Sequence, residues 1–143
     1  MASLQITKQF SITLDSGKII SLDASTFVDN VGEITSREMQ VPVTEVTVIL
    51  IGAAVAAGQL KDIKFMVIQN LDSTNYMTVS LKDTAGATVY HIVLPGKSLD
   101  IYDKRIDVSE TGAVFASFSE IDTISVKADT APVSISVLAG ESC

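Results

Sequence analysis

The sequence predicts an all-β fold, an antiparallel β-sandwich or jelly-roll-like domain of about eight strands with little helix. Three observations predict it. Apolar and polar residues alternate with a period of two through most of the chain. Turn signals built on Gly, Pro, Asn and Asp return about every 8–12 residues. No amphipathic helix of the ~10–15 residues a βαβ unit needs alternates with the strand patterns. The length of 143 residues fits one domain spanning 1–143.

The elements follow in order. Leu4, Ile6, Phe10, Ile12 and Leu14 share one parity, and Gln5, Thr7, Gln9, Ser11 and Thr13 the other. That reads as a half-buried strand with a wet outer face. Residues 1–10 are either this first strand within its own sheet or an extended N-terminal arm that adds to a neighbouring sheet edge. Asp15-Ser16-Gly17-Lys18 is a turn, and Ile20, Leu22 and Ala24 open the return strand of a hairpin. Val28 to Ser36, holding Asp29-Asn30 and Gly32, reads as a loop with at most a short strand. Met39 to Ile51 is the next β segment, with Pro42 marking a sheet edge or bulge. Val46 to Ile51 is apolar enough to be covered on both faces. Gly52 to Gly58 is a helical turn or an apolar loop.

Ile63–Gln69, Tyr76–Leu81, Ala87–Leu94 and Leu99–Tyr102 are strands separated by turns at 70–75, 82–86 and 95–98. Asp103 to Phe118 is ambiguous, with a brief helix read near Ala113-Val114-Phe115-Ala116. Ile121–Ala128 and Val133–Leu138 are strands joined by Asp129-Thr130-Ala131-Pro132.

Composition narrows the function. The chain is 47% hydrophobic and 19% charged, with a formal net charge of −7. Such a chain has enough apolar surface to fold, which sets it apart from acidic disordered proteins. The same low charge fits either a surface that meets a partner or a sandwich with Ser/Thr-rich outer faces. The ten Lys and Arg are scattered, so the clustering that nucleic-acid binding needs is missing. The acidic balance repels anionic membranes as well. The apolar stretch Val46–Ala57 is shorter than the ~20 residues of a spanning helix. The start Met1-Ala2-Ser3-Leu4-Gln5 does not read as a signal peptide. The one cysteine, Cys143, permits no disulfide within the chain, as in proteins folding in a reducing cytosol.

Residue types that carry catalysis are sparse. His91 is the one histidine, and it sits mid-strand where cross-strand packing is its ordinary role. One His and one Cys cannot supply a zinc site. Asp100, Asp103, Asp107 and Glu110 could in principle pair for glycosidic chemistry or calcium, but no Asp-x-Asp-x-Asp-Gly loop is present and solvated turn acids explain them. No glycine-rich phosphate cradle occurs. Tyr76, Tyr90 and Tyr102 leave a sugar-stacking role open, although there is no tryptophan. The expectation is a protein that is not an enzyme, with no catalytic residues, no cofactor and no metal. Assembly chemistry remains, and its candidate partner contacts are Leu4 and Ile6 in the first strand and Ala53, Ala54, Val55 and Ala56 in the small apolar segment.

The stretch Ile68-Gln69-Asn70-Leu71-Asp72-Ser73-Thr74-Asn75-Tyr76 resembles a pattern in small β-sandwich structural proteins of tailed bacteriophages. Val93-Leu94-Pro95-Gly96 and Ala128-Asp129-Thr130-Ala131-Pro132-Val133 look like further parts of it. The resemblance covers Ile63 to Leu138, and residues 1–60 lie outside it. It implies a virion protein assembled in the bacterial cytoplasm, foremost a capsid decoration (cement) protein. Its partners would be the major capsid protein or other virion proteins, and it would act as a homo-oligomer. A tail or head–tail junction protein is the alternative, and a carbohydrate-binding module a further one from a different class.

Overall fold

A computed structural model of the chain describes residues 2–52, 59–102 and 121–142. Among these there is no helix and there are ten strands in two five-stranded sheets. The first sheet runs β1 (Ala2–Thr13), β2 (Ile19–Val41), β10 (Val133–Ser142), β5 (Phe65–Asn70) and β8 (Ser98–Tyr102). The second runs β4 (Gln59–Leu60), β3 (Val46–Ile51), β9 (Ile121–Ala128), β6 (Met77–Asp83) and β7 (Thr88–Val93). Every pairing is antiparallel except β3 with β4. The all-β sandwich expected from the alternation is the fold observed.

Alternation builds the core directly. In β10, Val133, Ile135, Val137 and Ala139 are buried, while Ser134 is exposed and Ser136 half-buried. They face Met77, Val79, Leu81, Ile124 and Val126 of the second sheet, with Val41, Met66, Ile68 and Ile101 completing the cluster. Each such side chain contributes about 1.5–3 kcal/mol on removal from water. Ser80 and Ser125, on the opposite parity, pair in register but are themselves buried, and the Thr47 and Ser125 hydroxyls lie 3.5 Å apart.

Three expectations are corrected. Val28–Ser36 is no loop but part of the 23-residue strand β2. Its first part pairs β1 over Ile19–Val31 and its last part pairs β10 over Val31–Val41, so backbone partners outweigh the turn signals of Asp29, Asn30 and Gly32. Both ladders shift register where they meet at Val31. The Met39–Ile51 segment is broken at Pro42, where the chain leaves one sheet for the other and the Pro42 carbonyl accepts the Ala128 N–H at 3.0 Å. Val46–Ile51 is not covered on both faces, since Thr47 and Leu50 are exposed. The adjacent Val48 and Ile49 are both buried because a register shift between Thr47 and Ile49 turns two neighbours inward. The helix read near Ala113–Ala116 lies outside the described residues.

The three segments that carry the sequence resemblance converge at one end of the sandwich. Buried Asn70 donates from Nδ2 to the carbonyls of Asn75 at 2.9 Å and Val93 at 3.3 Å. Its Oδ1 accepts the Asp72 N–H at 3.0 Å. Asp72 Oδ1 in turn accepts the N–H groups of Thr74 (2.7 Å) and Asn75 (2.6 Å). The Gly96 N–H donates to the Asp72 carbonyl, and the Thr130 hydroxyl donates to Asn75 Oδ1. Asn70 thus ties the 70–76 and 93–97 segments together, and Asn75 and Tyr76 join the 128–133 segment to the same corner.

Candidate docking surface

The long hairpin of β1 and β2 carries a run of exposed apolar side chains. Its tip is set by Gly17, whose φ of +79° lets the chain close with Leu14 C=O accepting the Gly17 N–H at 2.8 Å. The Leu14 N–H then donates to the Lys18 carbonyl, a type I turn with a glycine bulge. Register places Phe10 opposite Leu22 and Ile12 opposite Ile20, so the apolar parity of both strands shares one face.

That face is not covered. Phe10 is 55% exposed, Ile12 62% and Ile20 50%. Gln9, Ser11, Thr13 and Ser21 on the opposite parity are exposed as well. The expected half-buried strand is therefore corrected at Phe10, Ile12 and Leu14, which meet solvent. The reason is geometric: on the ribbon side of Val31 the sheet is only two strands wide, and among the described residues no second layer covers these side chains. A bare two-stranded ribbon is of marginal stability in water, and contiguous exposed apolar surface of this kind marks interaction sites.

The base of the ribbon is seated on the body. Lys8 Nζ lies 3.4 Å from Asp100 Oδ2 and 4.7 Å from the centre of the Tyr102 ring. Ile101 points into the core, so Asp100 and Tyr102 project from the outer face of the first sheet. β8 is three places from β2 in that sheet, so β1 must fold back across the outer face to bring Lys8 there. The outer face is apolar at this point. Phe65 is buried there with Val31, against Tyr102 and Leu138. The Phe65 ring lies flush on Gly140, where a Cβ would meet Cε1 at 2.3 Å. The Ser98 hydroxyl donates to Asp100 Oδ1 at 2.6 Å, which leaves Oδ2 aimed at Lys8. Burial, followed by the neighbouring Asp100, raises the Tyr102 phenol above its ordinary value, so the ring stays neutral under the lysine.

The other sequence candidates fall as follows. Leu4 and Ile6 pair through the backbone with Val28 and Thr26, and their side chains lie outside the described residues. So do Ala53, Ala54, Val55 and Ala56, whose flanks are held by the parallel pairing of Leu50–Ile51 with β4 and by the Gly52 N–H to Leu60 C=O bond. Asp103, Asp107 and Glu110 also lie outside them, while Asp100 is engaged by Lys8 and Ser98. His91 sits in the edge strand β7 opposite Val79 and is half-buried. Among the described residues, no group of three or more His, Cys, Asp or Glu is placed to hold a metal ion, and no helix is long and apolar enough to cross a membrane. Tyr90 projects from the second sheet and Tyr102 from the first, so they form no common platform for a sugar ring.

Sequence reasoning missed two features. Tyr90 and Ile92, on the outer face of β7, are 65% and 66% exposed beside exposed Leu94; the alternation set them apart from His91 but could not show that their face is open. The Lys8 seat joins residues 92 positions apart, and its one local signal is a lysine interrupting the apolar parity of the first strand. Comparisons with known families, curated proteins and solved structures gave no match to this chain.

Proposed function

We propose that this chain is a non-enzymatic structural protein that docks on other proteins through the β1–β2 ribbon. In the setting the sequence resemblance implies, it is a capsid decoration protein that contacts the major capsid protein of a tailed bacteriophage. The observation that carries the docking reading is the exposed face of Phe10, Ile12 and Ile20 on a ribbon that has no second layer among the described residues. Charge supports it: Gln9 to Leu22 holds only Asp15 and Lys18 among charged residues, so the ribbon tip is neutral on a chain of net charge −7. A neutral surface meets a protein partner without like-charge repulsion.

Size supports many weak contacts rather than one tight one. Twelve residues of β1 at ~3.4 Å each give a ribbon about 40 Å long and about 10 Å wide, or roughly 400 Å² per face. A stable one-to-one complex uses about 800 Å² per partner. A lattice that engages many copies makes up the difference through effective concentration.

The test is copy number and position in purified particles. A decoration protein is present in hundreds of copies on the shell, and Phe10→Ser with Ile12→Ser strips it from the shell while the chain stays folded. A dozen copies or fewer, in a ring, would move the reading to a tail or head–tail junction protein. Full retention of the double variant on particles would sink the ribbon as the docking element.

A further inference from the structure

We propose that Lys8 is a latch that sets the direction of the ribbon, and that the ribbon swings between a seated and a released position about Val31. The proposal rests on the docking reading only for its purpose, since the latch itself is a property of the isolated chain.

Four observations meet here. From Gln9 to Ser21 every side chain is exposed, so none distal to Lys8 is buried against the body. Lys8 makes two contacts with the outer face of the first sheet, an ion pair to Asp100 and a seat on the Tyr102 ring. The acceptor is prepared, with the second carboxylate oxygen of Asp100 fixed by Ser98. Both backbone ladders of β2 change register at Val31, between ribbon and sandwich, which supplies a joint where the ribbon bends with little loss of pairing.

The strength of the latch suits a switch rather than a clamp. Lys8 and Asp100 side chains are 40% and 24% exposed. A half-exposed ion pair and a half-exposed cation–π contact together bias such an equilibrium by about three- to tenfold. A partner that binds only the released ribbon overcomes a bias of that size easily. Seated, the ribbon is held back against its own body; released, it extends to a neighbour.

Pulsed dipolar spectroscopy on the isolated full chain tests this. Spin labels go on Ser16→Cys at the ribbon tip and Gln69→Cys on the outer face of the first sheet, with Cys143→Ser to remove the native thiol. The expected result is a dominant distance in the parent that loses population to a broad, longer one in Lys8→Ala, by three- to tenfold in ratio. Lys8→Arg, which keeps the charge and ring stacking, retains the parent distribution. Raising the salt on the unmutated lysine shifts populations in the same direction as Lys8→Ala but less far, which guards against a misfolded variant. Superimposable distributions for the parent and Lys8→Ala overturn the latch. If that happens while Phe10→Ser with Ile12→Ser still abolishes particle binding, the docking reading stands without it. If the latch is seen but the double variant still binds particles, the docking reading falls and the latch remains.

Discussion

The Asn70 corner and the β1–β2 ribbon solve opposite problems with the same strand chemistry. At the corner a polar side chain is fully buried, and its amide is matched by two carbonyls and one N–H, from its own turn and from the end of β7. No buried side-chain nitrogen or oxygen among the described residues lacks a partner. On the ribbon, apolar side chains stand about half or more in water, with no covering layer among the described residues. A buried polar group is costly unless satisfied, and an exposed apolar one is costly unless covered. The corner meets its cost internally; under the proposed docking, the ribbon's cost is removed by another molecule.

That contrast is open to attack in order of expected effect. Asn70→Ala should be the most damaging single change, because it strands the Val93 and Asn75 carbonyls and the Asp72 N–H. We expect a loss of about 3 kcal/mol in urea unfolding. Gly140→Ala should come next, at about 2 kcal/mol, since the added methyl runs into the Phe65 ring and that buried ring has to shift. An unchanged unfolding midpoint would show that the outer-face cluster around Phe65 is loose.

A pH effect separates the corner further. The Asn75 and Thr74 N–H groups bonded to Asp72 hold its carboxyl below its ordinary value of 3.8. A group lowered in the folded state stabilises above its unfolded value and loses that contribution as pH falls through the folded one. Unfolding curves of the parent and Asp72→Asn should therefore differ at neutral pH and draw together below pH 3.8; a gap that stays constant down to pH 2.5 would remove Asp72 from the account. Least affected in stability should be Phe10→Ser with Ile12→Ser, within about 0.5 kcal/mol of the parent, even though it is the change expected to abolish docking. A loss of several kcal/mol in that variant would mean the ribbon face is packed in the free chain after all.

Most of the fold was legible because period-two alternation is a direct image of two-sided strands. β9 and β10, with their Asp129–Pro132 turn, follow the pattern closely, and the Asn70–Asn75 turn fell where its residue types placed it. Alternation does not say whether a second layer exists, which is why Phe10, Ile12 and Leu14 looked half-buried. Turn residues lose to long-range pairing, which is why Asp29, Asn30 and Gly32 sit inside β2. A bulge has no signature in a run as uniform as Val46–Ile51. The ribbon itself was recognised as a hairpin with an assembly role in view, but its seat on Asp100 and Tyr102 depends on a fold-back that no local pattern encodes.

The continuity of β2 has a mechanical consequence. One unbroken strand runs from the ribbon tip into the sandwich, where Ile34 to Val41 lies alongside Gly140 to Val133. A pull on the tip is transmitted lengthwise into that ladder as shear. Hydrogen bonds loaded in this geometry share the force and give way together rather than peeling one after another. A molecule tethered by its ribbon would hold its grip under a load that would strip an equally long surface loop.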